Sequence, residues 1–412
     1  MMNKEESSLT AGKNGPVLLQ DVRLIDKLSR FVREIIPERV VFAKGTGAHG
    51  YFRVYMPMSD FTKAAFLQSP DKKTPVFVRF STMTGSKGSA DTLRDVRGFA
   101  VKFYTTEGNY DLLSTSLPVF YIRDAIQFPE LMHALKPSPS TNLIEPARFW
   151  KYISETPETT HMATWLFSDN GTMKSYRHME GYSVNTYVWE SSNGQRHLVR
   201  YHWKPLLGVK NITRQEAEFL AGFDPDAAAR DLCDSLDRGE LTEYELSLQL
   251  IPLENQDQFD FVSLDATKIW PENKISLFKV GKLTLNKATE NYLEEVEKAA
   301  YSPANIVPGI DFSFDRLLQG SIFASLDAER HRLGSNYEQF PINQTKYNPV
   351  PAAAQSRMPA AVHVQGYVER SRAVKGDDFT QAGERYRTMS PKEQDHLADN
   401  IIDHLMFVDD KI

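Results

Sequence analysis

The sequence predicts an α+β fold, with strands through the middle of the chain and helices at its end. Residues 50–56 and 74–83 are rich in aromatic and β-branched residues and are bounded by Gly, Pro or Ser, which is typical of strands. An Asn-Gly pair at 193–194, between two further runs of this kind, is a strong short-range signal of a β-hairpin. Residues 379–389 and 391–406 have helical patterns.

The remaining elements follow from local patterns in chain order. The arms of the predicted hairpin are residues 186–190 and 196–203. In residues 244–250, polar and apolar side chains alternate with the two-residue period of a half-buried strand. The last helix is predicted to start at residues 390–391, a Ser-Pro pair with a glutamate in the turn that follows. Other helical patterns lie at residues 146–155, 214–220, 226–236 and 290–300.

Composition and charge indicate a large globular protein and exclude several classes of function. The chain has 412 residues, 41% of them hydrophobic, which suffices for one large core or two domains. A net charge of -6 without a sustained basic stretch excludes an electrostatic footprint for nucleic acid or an anionic membrane. The first residues contain no apolar run, so we expect no signal peptide or anchor, and a cytoplasmic location. The single cysteine, Cys233, excludes an intramolecular disulfide and a thiolate metal cage.

Several long motifs occur in order along the chain, among them VRFST at 78–82 and DVRGFAVKFY at 95–104. The segments concerned are residues 39–52, 74–82, 88–92, 95–104, 118–124 and 332–337. In these segments the chain is similar to the haem catalases, and the similarity runs from about Leu9 to about Leu405. Because fold does not determine function, the residues of the site must be compared one by one.

The resemblance implies a closed antiparallel β-barrel with helical connections packed outside it. It also implies an N-terminal arm, a wrapping connection and a C-terminal helical region that is shortened here. The expected parts are the arm at 1–30, the barrel core at 31–340, the wrapping connection at 341–377 and the helical region at 378–412. Arms and wrapping segments of this kind bury surface between subunits in the family, so we expect a homo-oligomer, a tetramer rather than a dimer.

Phe42 is the first departure from the family pattern. At this position the resemblance implies a histidine that takes a proton from peroxide, and a benzyl ring cannot move a proton. Thr115 stands where the family has a distal asparagine. Its hydroxyl can donate one hydrogen bond but cannot present an amide. Two positions that are catalytic in the family are therefore substituted.

Ser325 is the second departure, on the other side of the expected haem. The resemblance implies here a tyrosine that ligates iron as phenolate, and serine has no accessible anionic form near neutral pH. Ser321, four residues earlier and on the same helical face, replaces an arginine that would lower the phenolate pKa. Glu329, one turn further along, replaces a histidine.

Arg39, Arg79 and Arg332 match the three arginines that pair with the haem propionates in the family. Phe120 and Phe128 match aromatic residues that pack on the porphyrin face. Arginine suits a carboxylate because its rigid fork can make two parallel charge-assisted hydrogen bonds. Two interpretations stay open: the arginines bind an anionic planar or elongated molecule, or they hold carboxylates of the barrel itself.

The resemblance therefore implies haem that is absent or loosely held, since the propionate arginines are kept and the axial tyrosine is not. We expect no NADPH site, because the arginine and histidine that bind it in some catalases are Asn170 and Glu272 here. Other nucleotide-site positions are matched, by His161, Ser168, Lys204 and Trp270. No residue pattern predicts a metal site. The acidic run at 294–298 is interpreted as a solvated helix face.

Three functions are compatible with these substitutions, and enzymatic activity is left open. The first is a pseudoenzyme of the catalase family that has lost efficient hydrogen peroxide dismutation and acts as a scaffold, sensor or partner protein. The second is a repurposed oxidoreductase or other enzyme that acts on an anionic organic substrate in the former haem cavity. The third is a haem protein with weak catalase or peroxidase activity through an unorthodox axial ligand, for instance Glu329.

Overall fold

The computed structural model describes residues 7–347, 364–373, 376–406 and 408 of the chain. The chain divides into two compact units, Met1–Glu38 and Arg39–Ile412. The first contains helix α1 (Val22–Val32), whose N-terminus is capped by the Asp21 carboxylate, which accepts the Leu24 N–H at 3.0 Å. The other elements lie in the second unit. The finer division into arm, core, wrapping connection and helical region stays a prediction.

The second unit is built on one antiparallel sheet. Its strands, within the described residues, are β1 (Gly45–Val54), β2 (Thr74–Thr82), β3 (Arg97–Thr105), β4 (Gly108–Thr115), β5 (Gly181–Tyr182), β6 (Tyr187–Glu190), β7 (Arg196–Pro205), β8 (Thr242–Pro252), β9 (Phe278–Ala288) and β10 (Ile310–Phe312). The sheet closes into an eight-stranded barrel in the order β1-β2-β3-β4-β5-β7-β8-β9, with β9 paired to β1. Strands β6 and β10 extend the sheet from β7. The predicted closed barrel and α+β class are confirmed.

Helices connect the strands and follow them. They are α2 (Phe128–Leu135), α3 (Pro146–Glu155), α4 (Thr160–Leu166), α5 (Arg214–Phe223), α6 (Ala227–Asp237), α7 (Arg316–Leu333), α8 (Thr380–Thr388) and α9 (Pro391–Leu405). Helix α9 begins with a capping box in which Ser390 and Glu393 bond each other's backbone N–H groups. Helix α7 begins at Asp315, whose carboxylate accepts the N–H groups of Leu317 and Leu318.

Aromatic side chains fill the barrel. Phe52 of β1 meets Phe103 of β3 edge-on, with ring centroids 5.5 Å apart, and Trp203 of β7 at 6.2 Å. Phe99 of β3 lies 4.9 Å from the ring of Tyr244 in β8. Such pairs contribute about 0.5–1.5 kcal/mol each beyond the area they bury. Because these contacts cross between non-adjacent strands, this part of the barrel is a packed core and not a channel.

A buried ion network attaches the segment before α8 to the barrel unit. The Arg123 guanidinium contacts three carboxylates, those of Glu158 at 3.4 Å, Asp265 at 3.1 Å and Asp378 at 2.5 Å. The Lys268 ammonium lies 3.8 Å from Asp378. All of these acids are buried or nearly so, and removing one partner of such a network leaves an uncompensated buried charge, at a cost of about 3–5 kcal/mol. The network therefore specifies where the C-terminal helices pack.

Most local predictions are confirmed, but one helix is wrong. The hairpin of β6 and β7 turns at Gly194, whose φ of 83° requires a residue tolerant of the left-handed region. The helix predicted over 290–300 is instead a π-helical turn at Leu293–Glu297. Its acidic run is not a uniformly solvated face, because Glu297 is only 1% exposed. Glu297 is buried because Arg39 and Arg332, from distant parts of the chain, pack against it.

Candidate functional site

Phe42 precedes β1 in an unusual backbone conformation. Its φ is 62°, a left-handed value that is rare for a bulky residue and costs about 1–3 kcal/mol. The Phe42 N–H donates to the Met83 carbonyl at 2.9 Å, which holds this backbone in place. The ring lies against Gly98 of β3, where an added Cβ would come within 2.9 Å of Phe42 Cδ1. The glycine thus makes room for the phenyl ring.

Thr115 lies next to the same glycine, because it is the β4 residue that pairs with Gly98. Phe42 and Thr115 are therefore both neighbours of Gly98 in the barrel wall. The Thr115 hydroxyl donates to the Leu117 carbonyl at 2.9 Å, so its single proton is already used. The oxygen of this hydroxyl can still accept a hydrogen bond from a ligand.

Phe120 and Phe128 form an aromatic wall. Their rings are nearly parallel, at 14°, with centroids 6.5 Å apart. Phe42 packs against the same hydrophobic cluster as these two rings. Phe120 is buried in a loop after β4, and Phe128 opens α2. The structure thus brings three of the sequence-predicted residues into one apolar cluster.

Ser325 and Ser321 lie on α7 with their hydroxyls engaged. Ser325 Oγ is 2.8 Å from Ser302 Oγ and also donates to the Ile322 carbonyl at 3.2 Å. Ser321 donates to the Leu317 carbonyl at 2.7 Å. These hydroxyl contacts are with α7 and Ser302 and not with Phe42 or Thr115. Ser302 was not predicted, since nothing in its local sequence points to a distant serine.

The three arginines are gathered in a second, charged cluster. Arg39 donates from Nη2 to the carbonyls of Val296, Glu297 and Ala299, at 3.0, 3.0 and 2.8 Å. Arg332 donates to the Glu297 carbonyl at 2.6 Å. The pKa of Arg39 is lowered to about 9, first by burial and then by the neighbouring charges of Arg79 and Arg332. The three guanidinium groups are thus close enough to repel one another, and Arg39 is shielded from water.

Glu297 is the functional residue that sequence reasoning missed. Its carboxylate lies 3.6 Å from Arg39 Nη1 and accepts a hydrogen bond from the Tyr292 hydroxyl at 3.1 Å. The Lys87 ammonium lies 3.6 Å from its other oxygen. Tyr292 precedes Glu297 by five residues, the spacing of one π-helical turn. Burial, followed by the charge of Glu297, raises the pKa of Tyr292 to about 12.

Glu329 supplies a second internal carboxylate. It is 8% exposed, and its Oε2 accepts a hydrogen bond from Arg332 Nη2 at 2.8 Å. The two residues are three apart on α7, so the pair is a local one. Glu329 is therefore engaged with a cation of the cluster and is not directed at an axial position by any contact that the structure gives.

The closed barrel and its helical connections define a protein of the catalase class. The catalase family model matches residues 1–372, and a model described as catalase-related immune-responsive matches residues 372–412. The chain belongs to the catalase family.

Sequence relatives support this assignment. The chain is 46% identical to a catalase of Methanosarcina barkeri, over 97% of this chain and 85% of the relative. It is 43% identical to Catalase-2 of Bacillus subtilis, over 96% of this chain and 63% of that longer protein. It is 45% identical to catalase isozyme 1 of Hordeum vulgare, over 97% of this chain and 86% of that protein.

Solved structures agree. A bacterial catalase superposes with a TM-score of 0.92 at 33% identity, over 99% of this chain and 88% of that one. A fungal catalase superposes with a TM-score of 0.90 at 36% identity, over 98% of this chain and 89% of that one. Among the residues that the structure describes, none forms a helix long and apolar enough for a membrane span.

The side chains fit one end of a haem and not the other. At the carboxylate end, Arg79 Nε and Arg332 Nε are buried without a hydrogen-bond partner among the described residues, which leaves two donors for an anion, whereas Arg39 Nη1 faces the Glu297 carboxylate at 3.6 Å. At the iron end, the residue expected to ligate is Ser325, which lacks an anionic form. Glu329 is already bonded to Arg332. The residues present therefore do not fit a haem held through its iron.

The positions matched to a nucleotide site are occupied from within the chain. Arg385 of α8 donates to Ser168 Oγ at 2.9 Å and to Asn170 Oδ1 at 3.0 Å. His161 Nδ1 is 2.9 Å from the Thr267 carbonyl, and burial lowers its pKa to about 4. The Trp270 indole N–H donates to a backbone carbonyl. These contacts favour the expectation that NADPH does not bind, which stays a prediction.

Proposed function

We propose that this member of the catalase family has lost efficient hydrogen peroxide dismutation and acts as a non-catalase sensor, scaffold or partner protein. Phe42 carries the proposal. Its ring packs against Gly98 at the position where the family resemblance implies a proton-accepting histidine. Thr115, the neighbouring polar residue, already donates its proton to a backbone carbonyl. Neither side chain can act as a general base near neutral pH.

The iron side of the site supports the same proposal. Ser325 and Ser321 replace the ligand and the arginine implied by the resemblance, and both hydroxyls bond to protein groups. The third function considered, weak haem chemistry through Glu329, requires that this carboxylate leave Arg332. Breaking a buried pair of this kind is costly, so the contact argues against an axial Glu329.

A repurposed enzyme is the second candidate, and the unpaired arginine N–H groups favour it in part. Arg79 and Arg332 each keep a buried Nε without a hydrogen-bond partner among the described residues, which supports the binding of an anionic organic molecule. Catalysis needs in addition a nucleophile or a base within reach of the ligand. The side chains at the predicted catalytic positions are Phe42, Thr115 and Ser325, which favours binding over turnover.

The proposal predicts the absorption spectrum of the purified protein. We expect a Soret band that is absent or well below one haem per chain, because Ser325 offers iron no phenolate. The measurement is haem content per chain after expression in haem-replete cells, with the Methanosarcina barkeri catalase prepared in parallel as a control. Stoichiometric haem in this protein would contradict the proposal and favour the haem-protein alternative.

We also propose a homo-oligomer, a tetramer rather than a dimer, in a cytoplasmic protein. Helix α1 exposes an apolar face: Ile25 is 48% exposed, Leu28 55%, Phe31 67% and Val32 67%. An apolar face of this extent supports a partner surface. Of the wrapping connection expected at 341–377, residues 348–363 and 374–375 lie outside the described residues, and residues 364–373 contain no helix or strand.

Light scattering at micromolar concentration is expected to give an oligomer without added haem. Replacing Leu28 and Phe31 by glutamate is expected to shift the mass toward smaller species, because charges then interrupt the apolar face. Arg23→Glu, on an exposed position of the same helix, is the matched control and should leave the mass unchanged. A wild-type monomer would show that α1 does not mediate assembly.

A further inference from the structure

We propose that the arginine cluster is built for a single carboxylate, so that its ligand is a monocarboxylic acid with an apolar body. The inference rests on the proposed function and deepens it, because it names the class of molecule that the site would bind. A haem carries two propionates, and the residues of this chain leave room in the charge balance for only one such group.

Two of the three arginines already have a carboxylate partner within the protein. Arg332 donates to Glu329 at 2.8 Å, and Arg39 lies 3.6 Å from the Glu297 carboxylate. Both glutamates are buried, at 8% and 1% exposure. Carboxylates in such positions neutralise part of the charge of the neighbouring guanidinium groups.

Arg79 is different. Its side chain lies in β2 and is 3% exposed, and within the described part of the chain it makes one hydrogen bond, from Nη2 to the Ala43 carbonyl at 3.0 Å. Among the residues that the structure describes, no carboxylate oxygen lies within 4.0 Å of this guanidinium, and its Nε has no partner. Burial lowers its pKa. The charge of Glu297, which lies beyond that distance, offsets the cost of burying this cation only in part, and a ligand anion in direct contact would reduce the cost further.

The charge balance of the cluster limits the number of ligand carboxylates that it can neutralise. Three guanidinium groups and two glutamates leave one positive charge, which a monocarboxylate neutralises and a dicarboxylate reverses. Lys87 also approaches Glu297, but its side chain is 40% exposed, so water screens its charge. Each additional buried charge of either sign is unfavourable unless it is paired. The cluster therefore discriminates against a dicarboxylate.

The neighbours of Arg79 indicate what the rest of the ligand contacts. Arg79 and Ser81 lie on the same face of β2, and Ser81 pairs with Gly98, on which the Phe42 ring rests. The carbonyl that Arg79 bonds belongs to Ala43, the residue after Phe42. A molecule whose carboxylate pairs with Arg79 would thus extend along the Phe42 ring toward the aromatic cluster. An apolar body fits that environment.

The test uses 1-pyrenebutyrate, a monocarboxylate with a planar apolar body, and measures its fluorescence anisotropy with the full-length protein. We expect saturable binding, no comparable binding of the neutral 1-pyrenebutanol, and a Kd at least about tenfold higher for Arg79→Met. The melting temperature of ligand-free Arg79→Met is expected to equal or exceed that of wild type, since an unpaired buried cation is removed.

Arg94→Met is the matched control. Arg94 is a partly buried arginine whose Nη1 donates to the carbonyls of Leu166 and Ser168, and it is not part of the arginine cluster. Its replacement is expected to lower the melting temperature and to leave the Kd for 1-pyrenebutyrate unchanged. The two variants therefore separate a ligand-binding arginine from a structural one. A lower melting temperature for Arg79→Met with unchanged probe binding would overturn the inference.

Glu329→Gln tests the charge limit with a dicarboxylate. The variant keeps a hydrogen-bond acceptor for Arg332 but removes one negative charge. On going from wild type to this variant, we expect the Kd for metal-free protoporphyrin IX to fall at least about tenfold more than the Kd for 1-pyrenebutyrate falls. Equal affinity of wild type for both probes would overturn the inference and leave the proposed function standing. Ordinary catalase activity would overturn the proposed function, whichever probe binds.

Discussion

Hemin-supplemented protein is expected to decompose hydrogen peroxide at least about a thousandfold more slowly than the Methanosarcina barkeri catalase, or about 4 kcal/mol in activation free energy. General acid–base catalysis alone contributes roughly 10²–10⁴ in rate, and Phe42 cannot supply it. Thr115 and Ser325 remove two further contributions that the resemblance implies, although such effects do not add independently. An oxygen electrode measures the rate directly.

Phe42→His separates the distal change from the proximal one. Histidine tolerates the left-handed backbone at this position better than phenylalanine does, where φ is 62°, so we expect the variant to fold. Its activity is expected to stay far below that of the relative, because Ser325 still provides no phenolate. Phe42→Leu, which changes the ring without adding a base, is the control. Ordinary catalase rates in the wild-type protein would refute the proposed function.

Local patterns predicted the strands and helices well because those elements depend on neighbouring residues. The helix over Pro146–Glu155 and the start of the last helix at Ser390 and Pro391 were predicted from adjacent residues and are confirmed. Closure of the barrel was available only through the family resemblance. Strand β5, which joins β4 to β7, has two residues, too few for any periodic pattern. Its position depends on pairing between distant segments.

The candidate site was predictable in its residues but not in its internal pairing. The arginines and the substituted positions could be named from motifs, whereas the partner of each arginine depends on contacts between distant parts of the chain. Arg39 meets the backbone around Glu297, more than 250 residues away. The acids at 294–297 suggested solvation, and a π-helical turn instead directs Glu297 to the arginines. Local patterning contains no signal for that turn.

Hemin titration is expected to distinguish the wild-type protein from a variant in which the iron ligand is restored. The wild type should bind hemin weakly, without the spectrum of a five-coordinate phenolate complex, because Ser325 bonds Ser302 and has no anionic form. Ser321→Arg with Ser325→Tyr supplies both the phenolate and the cation that lowers its pKa. We expect this double variant to show one-to-one binding and a phenolate-type spectrum.

Phe323→Tyr is the matched control for the double variant, since it adds a phenol to the same helix at a position that is 74% exposed. It should bind hemin as the wild type does, because a phenol on the outer face of α7 cannot reach a ligand inside the protein. If Phe323→Tyr gained the same spectrum, the new band would report adventitious surface binding. A wild-type protein with tight one-to-one binding and a phenolate spectrum would show that another tyrosine ligates iron, and that Ser325 does not mark the proximal position.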